Sequence, residues 1–74
     1  MKKWGLFILE DEVDKTIDII GEMELEVFEI RELTAFEKFS YGYLITAPIW
    51  IIMFYGTEND YNTLVMKNKL VTVF

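Results

Sequence analysis

From residue 39 to residue 57 the chain runs for nineteen positions without a charged side chain, and Pro48 stands close to the middle. A stretch this apolar has to leave water. Pro48 limits how, because proline gives no N–H to a sheet ladder and breaks a helix interior. The reading is therefore two apolar segments, 43–46 and 49–55, separated at an edge, bulge or turn. The densest part, 49–54, has the length of a strand. Burial in a subunit contact is a second solution, and a membrane segment over 39–57 is a third. Nineteen residues approach the roughly 20 that cross a bilayer, and Tyr41, Tyr43 and Tyr55 sit near the ends, where interfacial aromatics belong. Against crossing stand Pro48, two Gly, two Thr and the absence of a basic cluster at either end.

Upstream of this stretch the hydrophobic period changes several times. Residues 3–9 are apolar on both parities, which predicts a strand buried on both sides. Val13, Ile17 and Ile20 fall on one helix face and Asp11, Asp14, Lys15 and Asp18 cover the other, so a helix is expected over 11–20. Asp11 is its candidate cap and Gly21 its candidate stop. From Glu22 the pattern alternates, with Met23, Leu25 and Val27 inward and Glu22, Glu24 and Glu26 outward. The phase slips at Val27–Phe28, which a β-bulge explains. A helix here would spread Leu25 and Phe28 far from Met23, Val27 and Ile30, so strand is preferred. Thr34 and Glu37 match a capping box and predict a short helix over 35–40, with Phe36 and Phe39 packed inward. Residues 56–62 read as a polar loop, and 64–66 and 70–74 as two strands joined by a turn near Asn68.

These elements predict one α+β domain over residues 1–74. Its sheet is mostly antiparallel with four or five strands, its main helix spans 11–20, and its second helix spans 35–40. The size permits only a modest core.

Chemistry is restricted by what is missing. The chain has no Cys and no His, and Ser40 is its one serine. No His can activate that hydroxyl as a nucleophile, and the usual soft-metal ligands are absent. The oxygen-rich loop Thr57, Glu58, Asn59, Asp60, Asn62 lacks the spacing of a calcium-binding EF-hand. The four Gly stand singly, so there is no phosphate-cradling loop. An enzyme is not expected, nor is a cofactor or a resident metal. Lys2 and Lys3 resemble the start of a signal peptide. The apolar run after them is only six residues and ends in acids, so a cytoplasmic chain is expected.

Charge gives the positive lead. Residues 10–37 hold eleven acids against Lys15 and Arg31, which is −9, within a net charge of −6 for the chain. No cationic track is available for direct nucleic-acid binding. A basic protein surface is the natural partner, that of a nucleic-acid-binding enzyme included. If Glu22, Glu24 and Glu26 line one strand face, they stand roughly 7 Å apart and repel one another unless a cation or basic partner intervenes. Glu22, Glu24, Glu26, Glu29 and Glu32, with Tyr41 and Tyr43 as amphipathic contacts, form the candidate partner-binding set.

The expectation is a small acidic inhibitor or regulator that docks on a basic protein. Its alternatives are a homodimer that buries the apolar excess and a small membrane protein spanning 39–57. The residue bias (one Arg, one Pro, two Ala, many Ile, Phe, Lys and Glu) fits an AT-rich coding sequence such as phages and low-GC bacteria use. It carries no information on mechanism.

Overall fold

The apolar run around residue 50 becomes the organising strand. The computed structural model describes residues 1–67. Their order is β1 (Lys2–Leu9), a 3-10 turn (Glu10–Glu12), α1 (Val13–Glu22), β2 (Glu26–Glu32), α2 (Ala35–Ser40), β3 (Ile49–Gly56) and α3 (Glu58–Lys67). The three strands form an antiparallel sheet in the order β1-β3-β2, so the last strand lies at the centre. β1 runs against it without interruption, from Lys2 opposite Gly56 to Leu9 opposite Ile49. Along β2 the register shifts between Val27 and Glu29. That is the predicted bulge, and it returns Ile30 to the face occupied by Val27.

Alternation along the strands sorts side chains onto two faces. Trp4, Leu6, Ile8, Ile52 and Phe54 share one, where α1 supplies Val13, Ile17 and Ile20 and α3 supplies Tyr61 and Leu64. Leu6, Ile8, Ile20, Ile52, Phe54 and Leu64 are all at most 1% exposed, and each such side chain contributes about 1.5–3 kcal/mol on burial. The other face holds Phe7, Leu9, Ile49, Ile51 and Met53, closed at one end by Leu33 and Tyr43. β1 and β3 are therefore apolar on both parities because both faces of the sheet carry core.

Local signals set the helix ends. α1 is fed by the 3-10 turn rather than capped by Asp11, and no side chain caps its start. The expected stop at Gly21 is also displaced, since Gly21 lies inside the helix. The chain turns at Glu24, whose φ is 58°. The Leu25 N–H donates to the Ile20 carbonyl at 3.2 Å and the Glu24 N–H donates to that of Gly21 at 3.0 Å. This is the paired closure of a Schellman motif. Leu25 and Ile20 pack in the same core cluster, which is the apolar contact that accompanies the motif. Glutamate thus occupies a left-handed position that favours glycine.

Among the described residues the sheet has three strands, and the four or five expected are not confirmed. Residues 43–46 are irregular, because the chain there crosses to the second face and buries Tyr43 instead of extending a ladder. Residues 58–67 are helical where a loop and the start of a strand were expected. Thr57 and Asp60 form a second reciprocal cap: the Thr57 N–H donates to Asp60 Oδ2 at 2.9 Å and the Asp60 N–H donates to Thr57 Oγ1 at 3.1 Å. Trp4 holds this helix to the sheet by stacking on Tyr61 with centroids 4.6 Å apart. Its indole N–H reaches the Gly56 carbonyl at 3.0 Å. The turn expected near Asn68 and the strand after it lie outside the described residues.

Replacing Glu24 by glycine removes the cost of a side chain in the left-handed region. The variant Glu24→Gly is expected to be more stable by up to about 1 kcal/mol. Equilibrium urea unfolding of the two proteins measures this directly.

Candidate interaction surface

Residues 31–47 contain the least conventional packing in the molecule. Thr34 caps α2 and forms the predicted box with Glu37, whose N–H donates to Thr34 Oγ1 at 3.1 Å. The same Glu37 carboxylate receives both terminal nitrogens of Arg31 from β2, each at 2.7 Å. Arg31 also donates through Nε to Glu29 at 2.9 Å. One residue on, the Lys38 ammonium donates to the Ala47 carbonyl at 3.1 Å. α2 is therefore fastened to the body by its charged side chains.

Fastening the polar residues inward turns the apolar ones outward. Phe36 and Phe39, three apart and hence on one side of the helix, are 76% and 75% exposed. The expectation that they pack inward is corrected: a six-residue helix held through Glu37 and Lys38 has its other side facing water. The following segment continues the exposure. Tyr41 is 41% exposed and rests against Phe7, with centroids 5.0 Å apart. Gly42 takes φ 85°, which lets the chain reverse. Tyr43 then enters the second core cluster, while Leu44 and Ile45 return to solvent at 90% and 44% exposure. Phe36, Phe39, Tyr41, Leu44 and Ile45 thus open a largely apolar surface within ten consecutive residues.

The acidic candidates are distributed differently from the sequence expectation. Glu22 closes α1 and Glu24 sits in the turn, so they do not form a strand row with Glu26. Glu26 and Glu29 lie opposite Tyr55 and Met53, whereas Glu32 lies opposite Trp50 on the reverse face. The five carboxylates therefore do not share one flat patch, and Glu29 already pairs with Arg31. Of the two candidate tyrosines, Tyr41 is 41% exposed and Tyr43 only 7%. Burial pushes the Tyr43 phenol above its ordinary value, with nearby Tyr41 adding to the shift.

Other features offer little chemistry. A shallow open groove of about 260 Å³ is lined by Leu9, Glu10, Asp11, Ala47 and Pro48, and Glu10 Oε1 there accepts a hydrogen bond from the Trp50 indole at 3.3 Å. Among the described residues no group of acidic side chains could hold a metal ion. No helix among them is long and apolar enough to cross a membrane. Residues 39–57 are instead divided between the end of α2, an irregular segment and β3. Comparisons with protein-family models, curated proteins and solved structures find no match to this chain.

The exposed residues that sequence reasoning missed are Phe36, Phe39, Leu44 and Ile45. A signal was present in Glu37–Lys38, two charges set between two phenylalanines on a helix too short to bury both kinds of side chain.

The ion pair gives a pH dependence with a defined sign. Hydrogen bonding from Arg31, then from the Thr34 backbone, lowers the Glu37 carboxyl from 4.5 to about 2. A depressed carboxyl stabilises the fold above its ordinary value, and that contribution disappears as pH falls toward the folded value. NMR titration of the Glu37 side chain is expected to show a midpoint near 2, with Arg31→Met returning it toward 4.5.

Proposed function

We propose that this protein is a non-enzymatic binding factor, an inhibitor or regulator that docks on a basic partner protein through the apolar surface of residues 36–45. The supporting observation is the inverted mounting of α2, which spends its charged residues on internal contacts and leaves Phe36 and Phe39 in water. Contiguous exposed apolar surface on a small body marks a recognition site, and buried aromatic anchors dominate the energetics of such contacts.

Electrostatics define the kind of partner. The net charge of −6 raises the encounter rate with a positive surface and lowers it with a nucleic-acid backbone or an anionic membrane. Within 36–45 the only cation is Lys38, and it is engaged with Ala47. A lipid headgroup layer therefore finds no basic anchor here, whereas a protein groove rimmed by Lys and Arg is attracted by the net negative charge of the whole chain. The positive cleft of a nucleic-acid-binding enzyme has this character, and a cytoplasmic location follows from such a partner. The scattered acids Glu22, Glu24, Glu26 and Glu32 then serve to steer, and the aromatic surface serves to hold.

The double variant Phe36→Ser, Phe39→Ser changes two side chains that are three-quarters exposed. Its unfolding free energy is expected to stay within about 0.5 kcal/mol of the parent. Against a partner isolated from the native host, calorimetry should show affinity falling by at least roughly tenfold. Raising salt should slow association more than it speeds dissociation. Unchanged affinity in the double variant would refute the apolar surface as the docking site.

A further inference from the structure

The two edges of the sheet are protected unequally. β2 carries Glu26, Glu29 and Glu32 along its seven residues and contains the bulge between Val27 and Glu29. Charges and bulges are the devices that keep an edge strand from pairing with another chain. β1 has neither along most of its length. Residues 4–9 are Trp, Gly, Leu, Phe, Ile and Leu, their register against β3 is regular throughout, and no described strand lies on their outer side. A long, regular, apolar edge is a template for strand addition.

We infer that β1 is a self-association site, at which a second copy of this chain adds its own β1 antiparallel across a twofold axis passing beside Leu6. The product is a six-stranded sheet in the order β2-β3-β1-β1-β3-β2.

Geometry and charge select that register. Outward-pointing backbone groups alternate along a strand, so a symmetric pairing requires facing residue numbers that sum to an even value. Sums of 10 and 12 overlap the eight-residue strand equally well. A sum of 10 sets Lys2 opposite Ile8 and Lys3 opposite Phe7, two ammonium groups against apolar neighbours. A sum of 12 centres on Leu6, leaves only Lys3 against an apolar neighbour, Leu9, and brings Lys2 to Glu10 at the start of the acidic 3-10 turn that follows the strand. Trp4 then faces Ile8 and Gly5 faces Phe7, so a residue without a side chain receives an aromatic ring. The basic start of β1 and the acidic turn that follows the strand are thereby complementary between the two copies, twice per dimer.

The corresponding pairing of two β2 strands is disfavoured. Centred on Glu29, it sets the two Glu29 residues against each other, which is repulsive, and the bulge between Val27 and Glu29 interrupts the ladder. A head-to-tail pairing of β1 on β2 meets the bulge and would grow into open filaments rather than close.

Sedimentation equilibrium from micromolar to millimolar concentration tests the inference with three variants: Lys2→Glu, Glu10→Lys and the double exchange. The parent is expected to dimerise. Each single reversal should raise the dissociation constant by roughly tenfold, and the double exchange should restore it. Glu10 accepts from Trp50, so far-UV circular dichroism accompanies the Glu10→Lys data. Lys2→Glu leaves that contact intact and stands as an independent arm. The inference is overturned by a parent monomeric over the whole range, by filaments, by a dimer indifferent to both reversals, or by a double exchange that fails to restore association. It does not rest on the 36–45 surface. Phe36→Ser, Phe39→Ser should therefore retain the dimer, and loss of the dimer in that variant would also overturn the assignment.

Discussion

Ile49, Ile52 and Phe54 are wholly removed from water, and they achieve this on opposite sides of one strand. That double burial is possible because β3 is hydrogen-bonded on both edges and packed on both faces. α1 and α3 cover one face, and Leu33 and Tyr43 close part of the other. A chain of 74 residues has little apolar surface to spare for a two-sided core. Placing its most apolar segment at the centre of the sheet concentrates burial where both faces benefit. The remaining elements are arranged around that strand. β1 and β2 flank it, and α1 and α3 pack on one of its faces.

The second organising contact is electrostatic. Arg31 projects from the sheet toward Glu37, which is already committed to the cap of α2. A forked guanidinium against a carboxylate fixes orientation as well as distance. Although the pair is exposed, and such pairs add little to global stability, it decides which side of a six-residue helix faces the body. Lys38 reinforces that choice through Ala47. The cost is apolar surface in water at Phe36 and Phe39. The exposed rings are thereby carried on a helix braced through Glu37 and Lys38.

Much of the framework was legible in the residues. The two-sided apolar pattern of β1 and the heptad-like spacing of Val13, Ile17 and Ile20 both describe real elements. The phase slip at Val27–Phe28 marks a real bulge, and Thr34 with Glu37 a real cap. Each is a short-range signal, carried by neighbours a few positions apart. Residues 58–67 were misread because their helix buries little: Leu64 is its one buried residue, and the polar start Glu58 to Asn62 resembles a loop. The Thr57 and Asp60 pairing was the available clue. Its weight became clear only with Trp4 stacked on Tyr61, a contact spanning most of the chain.

Sequence alone determined the two-sided apolar strands, the bulge at Val27–Phe28, the cap at Thr34, and the absence of His and Cys from any chemistry the chain performs. Tertiary structure decided the strand order, the separation of the acidic residues onto different faces, the entry of Tyr43 into the core and the outward mounting of Phe36 and Phe39. The division has a physical origin. Periodicity and capping are set by backbone geometry over one or two turns, whereas the face an element presents depends on forces from residues distant in the chain or in another element. At Glu37 a guanidinium on β2 set the orientation of the helix, and that partner lies outside residues 35–40.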